Sequence, residues 1–461
     1  MPPQLMLRQA RVEDAESPCD VVIDDGRVSA VGDATGRVAD EVIECAGRVV
    51  LPGFVEPHLR LDKALLDGVR PNPDGTLAGA IAVTGELKRD FTHAGVRQRA
   101  RRVLEAVVLN GTTVIRAHPD VDPIAGLLGV EVLLELREEY RDLVDLQIVA
   151  FPQEGVLRSP GTEKLLVAAL AVGADVIGGC AYNEESLKNC HRHVELVLDL
   201  AAQHGVPADL HADFADDASD PRYALAEFIA EQTARRGLAG RVTLGHMVSL
   251  GGRAPADRAR AMAALADAGV AVVPLPATDL HLGGRRGTQA VRRGVAPVRE
   301  LWSSGVLAAC SSNNIRNAFT PYGRADPLDT ALLLAQTGHL SGPADLRRVL
   351  RMVTHDAARV VGVADDYGVR PGARADLVVL DTRAYDDIVL DRPERAYVVK
   401  AGRVVARTRG TSELLSRRGP FSPLRHPETP RPSPAFRPPT RTSRPHHPHP
   451  PPPARHRAPV P

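Results

Sequence analysis

Histidine, arginine and aspartate occupy every second position in one short stretch, Leu51 to Lys63, which reads LPGFVEPHLRLDK. His58, Arg60 and Asp62 therefore share one face of an extended segment. They follow an apolar run, Arg48 to Val55, that predicts a buried strand, and the proline after this run is expected to end the strand. Three polar groups on one face at a strand end predict either the start of a binding or catalytic site or an ordinary polar loop.

Polar side chains recur at equivalent places along the chain, at or just past the ends of predicted strands. This set comprises His58, His118, Gln153, His211, His246 and Asn313. Taken singly, each histidine is also explained by a hydrogen-bonded position in the core. Because the strand ends of a barrel converge on one face, several such residues together predict a shared polar pocket.

Strand and helix patterns alternate regularly between the two ends of the chain. Short β-rich runs predict eight strands, near residues 48–55, 112–122, 145–155, 174–183, 206–217, 241–252, 270–284 and 306–314. Amphipathic runs predict helices over residues 95–111, 129–143, 161–173, 185–205, 256–269 and 344–362. This α/β pattern fits a (β/α)8 TIM-type barrel better than an open doubly wound sheet, because no GxGxxG motif follows the first strand.

Further β-rich runs lie at both ends of the chain. Asp24-Asp25-Gly26 and Ala401-Gly402 separate pairs of such runs and are typical of hairpin turns. We therefore predict a small β domain built from both chain ends, residues 1–51 with 366–408, next to a barrel of residues 52–365.

The composition excludes several classes of partner. The chain has 57 basic and 57 acidic residues, so its charge favours neither nucleic acid nor an anionic membrane. It has no apolar leader and no apolar run of about 18 residues. Its five cysteines are scattered without a CxxC pair, which is typical of a reducing compartment. We expect a cytoplasmic protein with a small-molecule substrate, and leave open whether it forms a homo-oligomer.

Residues 420–461 differ in composition from the rest of the chain. They are dense in proline, arginine and histidine and contain one acidic residue, Glu428. A segment of this kind cannot bury a core and is predicted to be a disordered or polyproline-type tail. Its histidines could hold metal and its PxxP spacings could bind a partner domain, but a plain disordered tail is the simpler interpretation.

Several segments resemble the amidohydrolase superfamily, and within it the bacterial cytosine deaminase branch. They are GFVEPHLRLD, DLQIVAFPQEG, ADVIGG, DLHADFADD, RVTLGH, LHLGGRRGTQAVRRG and THDAARVVGVADDYGVRPGARADLVVLD. The likeness covers about residues 5–408 and includes the β domain formed by both ends. It implies a hydrolase for C–N bonds of cytosine-like heterocycles, with one divalent metal, zinc or iron, that activates water.

The resemblance assigns roles to four residues that match the family's motifs. His58 corresponds to the first histidine of a metal-binding HxH pair, and His211 corresponds to a later metal ligand. His246 corresponds to the histidine that orients the attacking water, and Gln153 to a glutamine that binds the edge of the heterocycle.

Three functional positions of the family carry different side chains here. The second histidine of the HxH pair is Arg60, a fixed cation without a lone pair, which would repel a metal. The aspartate ligand is replaced by the neutral Asn313, and the proton-shuttling glutamate by Phe214. A metal held by His58 and His211 alone would be weak, so metal-free chemistry is an alternative to ordinary metal-dependent hydrolysis.

Two hypotheses for the pocket follow from these departures. In the first, an enzyme with altered chemistry acts on a C–N bond, and Arg60 is paired with Asp213, Asp62 or an anionic ligand. Its candidate catalytic residues are His246, Asp213, Asn313 and Arg60. Its candidate substrate-binding residues are Gln153, Arg60, His281 and Phe319. In the second, a catalytically degenerate barrel binds a small molecule without turnover.

Overall fold

The computed structural model describes residues 4–285, 287–289 and 291–410. The predicted tail, residues 420–461, lies outside this range. Within the described residues, no helix is both long and apolar enough to cross a lipid bilayer.

Strands and helices alternate through the middle of the described chain, as the sequence predicts. The strands are β1 (Leu5–Val12), β2 (Cys19–Asp24), β3 (Arg27–Gly32), β4 (Glu41–Glu44), β5 (Val49–Pro52), β6 (Phe54–Leu59), β7 (Thr112–Ala117), β8 (Asp145–Ala150), β9 (Val176–Cys180), β10 (Ala208–Ala212), β11 (Val242–His246), β12 (Ala271–Val273), β13 (Leu377–Leu380), β14 (Arg395–Lys400) and β15 (Arg403–Arg407). The α-helices are α1 (Leu77–Leu87), α2 (His93–Leu109), α3 (Leu128–Tyr140), α4 (Thr162–Val172), α5 (Leu187–His204), α6 (Ala226–Arg235), α7 (Pro255–Asp267), α8 (Pro276–Leu282), α9 (Val298–Ser303), α10 (Pro327–Thr337), α11 (Pro343–Arg351), α12 (His355–Val360) and α13 (Ile388–Asp391).

The strands from β6 to β12 form one sheet in which each strand pairs in parallel with the next in the chain. The eighth predicted strand is present as an irregular segment that makes two isolated parallel bridges, Ala308 with Val272 and Asn313 with Leu59. These bridges join the last strand of the sheet to the first. The predicted (β/α)8 barrel is therefore confirmed.

The two ends of the chain meet in a second sheet with the strand order β15-β14-β13-β5-β1-β2-β3, and β4 pairs with β1. The antiparallel pair β13–β5 joins the C-terminal strands to the N-terminal ones. Both predicted hairpin turns are present, and Asp25, Gly26, Ala401 and Gly402 have the positive φ values that such turns need. The small β domain from both ends is confirmed, whereas its domain boundaries stay a prediction.

The predicted first strand, residues 48–55, is wrong in its extent. The chain leaves the end sheet after β5 and enters the barrel as β6, so the two sheets share this segment. Pro57 lies inside β6 and does not end it. The pairing of β6 with β7 shifts register between Glu56 and Leu59, so no regular ladder bond is required from the missing N–H of the proline.

Two other predicted elements are divided in the structure. Only the first residues of the predicted strand 270–284 form β12, and Pro276 then begins α8, because proline is well suited to the first turn of a helix. The predicted helix 344–362 is two helices, α11 and α12, separated at Thr354, whose φ of −130° is not helical. Helices α1, α6, α9, α10 and α13 were missed.

Apolar faces hold the helices on the outside of the barrel. The buried residues of α2 are Val96, Ala100, Val103, Leu104, Val107 and Val108. Their spacing of three to four residues places them on one face, which joins the same apolar cluster as Ile115 of β7 and Leu133 of α3. The fold therefore depends on packing that lies away from the polar ends of the strands.

Gly178 in β9 provides a test of how tightly the barrel strands pack. A Cβ atom there would lie 2.8 Å from the carbonyl oxygen of Ala150 and 2.9 Å from Cα of Phe151, both of them backbone atoms. We expect Gly178→Ala to lower the free energy of unfolding by about 1–3 kcal/mol, measured by urea denaturation. Gly85→Ala is the control. A Cβ atom at Gly85 would meet no other atom within 4 Å, so this variant should not be destabilised. Equal stability of the two variants would contradict the packing argument.

Candidate active site

A small pocket lies where the ends of the barrel strands converge. Its lining residues are Arg60, Leu77, Gln153, Tyr182, His211, Phe214, His246, Thr278, Asn313, Asn314 and Phe319. The cavity that they enclose has a volume of about 10 Å³, room for about one water molecule. Side chains therefore nearly fill the pocket, and a ligand needs its wall to move.

Arg60 is a buried cation in the wall of this pocket, with 1% of its surface exposed. Its Nη1 donates to the carbonyl oxygen of His118 at 2.9 Å and to Oδ1 of Asp120 at 3.0 Å. Its Nη2 donates to Oε1 of Gln153 at 3.2 Å. The guanidinium carbon also lies 3.9 Å from the ring centroid of Phe151, a favourable cation–π geometry. The structure thus places the Arg60 charge beside the pocket, as the sequence predicts.

The two carboxylates predicted as counter-ions of Arg60 are wrong. The sequence predicted Asp213, Asp62 or a bound anionic ligand, and the carboxylate in contact is Asp120. Asp62 accepts a hydrogen bond from the backbone N–H of Asp120 at 3.0 Å. Burial and the neighbouring Asp120 carboxylate raise the pKa of Asp62. Asp120 comes after the second barrel strand, so only closure of the barrel brings it to Arg60.

Asp120 is shared by the guanidinium and two ammonium groups. Its Oδ1 lies 2.7 Å from Nζ of Lys63, and its Oδ2 lies 3.4 Å from Nζ of Lys88. Lys88 also contacts Asp122 at 2.6 Å and Glu154 at 2.7 Å. Burial alone would raise the pKa of Asp120, but the surrounding cations hold it well below its usual range. These charges can be buried because each has a partner of opposite sign.

The two predicted metal ligands contact each other directly. Nε2 of His58 lies 2.8 Å from Nε2 of His211, and both side chains are buried. Asp209 Oδ1 lies 3.6 Å from Nδ1 of His58, which favours a proton on Nδ1 and leaves Nε2 as the acceptor. His211 then donates to His58, and the lone pair that a metal would use is occupied. Burial lowers the pKa of both histidines well below the usual value, so both rings are neutral.

This arrangement does not suit a divalent metal. A tetrahedral zinc ion with bonds of about 2.0–2.1 Å holds two nitrogens about 3.3 Å apart. The two Nε2 atoms are only 2.8 Å apart. The other two family positions hold the Arg60 cation and the neutral Asn313, so neither of them supplies an anionic ligand to balance a metal charge.

A second group of potential ligands consists of His58, His118 and Asp209, whose ligand atoms lie within 4.8 Å of one another. Asp209 Oδ1 lies 3.2 Å from His118 Nε2, and its Oδ2 lies 3.1 Å from Nη1 of Arg116. The rings of His58 and His118 stack with centroids 3.5 Å apart, so their nitrogen lone pairs do not converge on one point. Burial lowers the pKa of His118 to about 4. Arg116 and the two histidines surround the Asp209 carboxylate, but Nδ1 of His58, Nε2 of His118 and Oδ1 of Asp209 have no hydrogen-bond partner among the described residues.

His246 is the last residue of β11, and the carboxylate of Asp279 holds its ring. Its Nδ1 lies 2.6 Å from Oδ1 of Asp279, and Oδ2 of Asp279 accepts from the backbone N–H of Leu275 at 3.1 Å. Because a carboxylate can only accept, the imidazole proton is on Nδ1 and Nε2 keeps its lone pair. The φ of His246 is 74°, a conformation that costs a non-glycine residue of the order of 1–3 kcal/mol. Such strain is common where a side chain must be held for function.

Asp213, a predicted catalytic residue, does not line the pocket. Its Oδ1 accepts from the backbone N–H of Leu225 at 2.7 Å, and its Oδ2 lies 3.2 Å from Nη2 of Arg253. Burial raises the pKa of Asp213 to about 6. The carboxylate anchors the segment before α6, and this placement argues against the catalytic role predicted for it.

The remaining predicted site residues are divided between the pocket and its surroundings. Asn313 and Phe319 line the pocket, and Asn313 Nδ2 lies 3.3 Å from Oγ1 of Thr278. His281 is outside the lining and only partly buried, with its ring edge-on to Tyr322 at 5.6 Å between centroids. The substrate contact predicted for His281 therefore has no support in this structure.

Sequence analysis missed two of the carboxylates that position the site, Asp209 and Asp279. Asp209 could have been found, because it precedes His211 by two residues and so shares its face of β10. Asp279 is separated from its partner His246 by 33 residues, and no local pattern joins them. Only the closed barrel brings such pairs together.

The chain was compared with known proteins. A model of the amidohydrolase family matches residues 41–406. N-isopropylammelide isopropyl amidohydrolase from Pseudomonas sp. strain ADP is 29% identical over 87% of this chain and 97% of the relative. Crystalline 5-methylcytosine deaminase from Klebsiella pneumoniae, bound to 5-fluorocytosine, is 30% identical with a TM-score of 0.85 over 90% of this chain and 100% of that chain.

A more distant structure shares the fold alone. Atrazine chlorohydrolase from Arthrobacter aurescens TC1, crystallised with zinc, is 20% identical, with a TM-score of 0.68 over 87% of this chain and 95% of that chain. Zinc is therefore bound by another protein of this fold.

Replacing Asp120 tests the charge network. Asp120→Asn removes the negative charge that three buried cations share. We therefore expect a loss of about 3–5 kcal/mol in the free energy of unfolding. Asp386→Asn is the matched control, because Asp386 pairs with Arg347 on the surface and its side chain is 47% exposed. That variant should lose no more than about 1 kcal/mol in urea denaturation. A similar loss in both would show that Asp120 is not the shared counter-ion.

Proposed function

The chain belongs to the amidohydrolase family, and from that premise we propose that it hydrolyses a C–N bond of a small planar N-heterocycle or amide without a divalent metal. The main support is His246, which is hydrogen-bonded to Asp279 and lies in the wall of the same pocket as the Arg60 guanidinium. A general base and a fixed cation on one pocket are two of the elements that hydrolysis needs.

His246 supplies the proton transfers in this proposal. Its Nε2 takes a proton from a water molecule as the oxygen adds to the carbon that carries the leaving nitrogen. The imidazolium is stabilised by Asp279 and then returns the proton to that nitrogen as the C–N bond breaks. The products are an oxygen-bearing compound and an amine, so that one water is consumed for each bond cleaved.

Arg60 supplies electrostatic stabilisation. Addition of water places negative charge on an oxygen or ring nitrogen of the substrate, and a guanidinium held in a buried pocket stabilises such charge strongly. Arg60 is already fixed by Asp120, His118 and Gln153, so little reorganisation is needed during the reaction. In relatives that bind a metal, the metal would provide this stabilisation.

Binding without turnover is the second candidate function. The ring of Phe214 stacks on His246 at 4.0 Å between centroids and 14° between planes, at the position where the family has its proton-shuttling glutamate. Among the described residues that line the pocket, none carries a carboxylate. Both features favour a barrel that binds a planar ring and leaves it unchanged.

The substrate type, partners, cellular location and oligomeric state of the protein are also proposals. A small-molecule substrate, with neither nucleic acid nor membrane as partner, is consistent with the balanced charge of the chain. The predicted cytoplasmic location and a homo-oligomer belong to the same proposal.

A histidine substitution tests the proposed chemistry. The wild type is first tested on a panel of aminopyrimidines, aminotriazines and cyclic amides. On the substrate that it converts, we expect His246→Gln to lower kcat at least about 100-fold, because the substitution removes the base. Release of ammonia or amine is the measurement. His204→Gln, an exposed change at the end of α5, is the control and should keep full activity. A chelator should leave turnover unchanged.

Metal analysis of the full chain separates the candidates. The wild type and His58→Gln should contain the same amount of zinc, iron and manganese, because tail histidines are common to both. A full equivalent of metal that is lost in His58→Gln, together with chelator-sensitive turnover, would contradict metal-free hydrolysis. Ring binding by the wild type without any product would instead favour the second candidate.

A further inference from the structure

Arg60 determines which side of the Gln153 amide faces a ligand. A guanidinium can only donate hydrogen bonds, so the Gln153 atom 3.2 Å from Nη2 of Arg60 must be the carbonyl oxygen. The Nε2 group lies on the other side of the amide and donates one N–H to Sγ of Cys180 at 3.8 Å. Gln153 therefore offers its second N–H, and not its oxygen, to a ligand. A histidine at position 60 would not impose this, because imidazole both donates and accepts.

A chain of amides orients Asn314 in the same sense. The backbone N–H of Phe319 donates to Oδ1 of Asn317 at 2.9 Å, so the Nδ2 group of Asn317 must lie on the other side. This Nδ2 donates to Oδ1 of Asn314 at 2.8 Å. The Nδ2 group of Asn314 then donates one N–H to Oγ1 of Thr278 at 3.2 Å. Asn314 lines the pocket, so the group it has left for a ligand is its second N–H, which is also a donor.

Asn313 is the exception among the amides of the pocket. Its Nδ2 lies 3.3 Å from Oγ1 of Thr278, and its buried Oδ1 has no hydrogen-bond partner among the residues that the structure describes. Beside the His246 base, the wall therefore offers a cation and two amide donors, but a single amide acceptor. A ligand that pairs with all of these groups needs several hydrogen-bond acceptors and few donors.

We infer that this pocket selects a carbonyl-rich ring, a cyclic ureide or imide, over an amino-rich ring of the same shape. The inference rests on the proposed function, because it takes this pocket as the substrate site. An edge of the form C=O, N–H, C=O gives acceptors to Gln153 and Asn314 and a donor to Asn313. The amino groups of an amino-rich ring would face the amide N–H groups of the pocket, so that donors on both sides stay without acceptors. A buried site strongly rejects a ligand that leaves its polar groups unpaired.

A matched pair of rings tests this selectivity. Uracil has two carbonyl groups flanking one N–H, and 2,4-diaminopyrimidine has two amino groups flanking a ring acceptor on the same skeleton. We expect the full-length wild type to bind uracil at least about tenfold more tightly in calorimetric titration, at a pH where both rings are neutral. Neutrality matters because a protonated ring would be repelled by Arg60 for reasons unrelated to hydrogen bonding.

Gln153→Glu exchanges the donor for an oxygen while keeping the contact with Arg60. It should weaken uracil binding at least about tenfold and abolish the preference for uracil over the diamine. Gln203→Glu is the matched control, because Gln203 is exposed in α5 and the chemical change is the same. Asn314→Asp repeats the exchange at the second amide, so the test survives if one variant fails to fold by circular dichroism.

Three outcomes would overturn the inference. They are equal or tighter binding of the diamine by the wild type, binding of neither ring, and an unchanged preference in both folded variants. The proposed function can fail separately. Uracil preference without turnover of any panel compound would refute hydrolysis and leave the selectivity intact. Hydrolysis of an amino-rich ring with no preference for uracil would refute only the selectivity.

Discussion

A guanidinium buried at the mouth of the barrel is the constraint on which the rest of the site depends. Leaving water is so unfavourable for a charge that Arg60 requires an anion within contact distance. Asp120 supplies it and is in turn drawn into contacts with Lys63 and Lys88. The end of the second barrel strand and the segment after α1 are thereby fixed to the first strand. One charged residue therefore organises a large part of the pocket wall.

The same cation changes what the neighbouring side chains can do. Burial, with a smaller contribution from the Arg60 charge, lowers the pKa of both His58 and His211, and the two rings bond to each other. Gln153 turns its oxygen to Arg60, so its donors remain for a ligand. A metal could be removed or exchanged, whereas this charge is covalently part of the chain. Any reaction at this site therefore takes place next to a permanent positive charge.

The fold tolerates these changes because its stability has a different origin. Helices such as α2 pack apolar faces against the outside of the barrel, away from the strand ends. The overall similarity to 5-methylcytosine deaminase, with a TM-score of 0.85, is retained at 30% identity. Positive φ values occur at His246 and Asn313 at the polar ends of the strands, and also at residues away from the site, such as Gln9 and Arg392. Site and scaffold can thus diverge independently.

The sequence by itself determined the alternation of strands and helices, the hairpin turns, and the polar residues at the strand ends, because these follow from local periodicity and turn chemistry. It also determined that Arg60, Asn313 and Phe214 depart from the family pattern. Only the tertiary structure decided the partners. The pairs Arg60–Asp120 and His246–Asp279 join residues 60 and 33 positions apart, and Asp213 turns out of the pocket. Contacts of this kind arise from barrel closure, which no local pattern encodes.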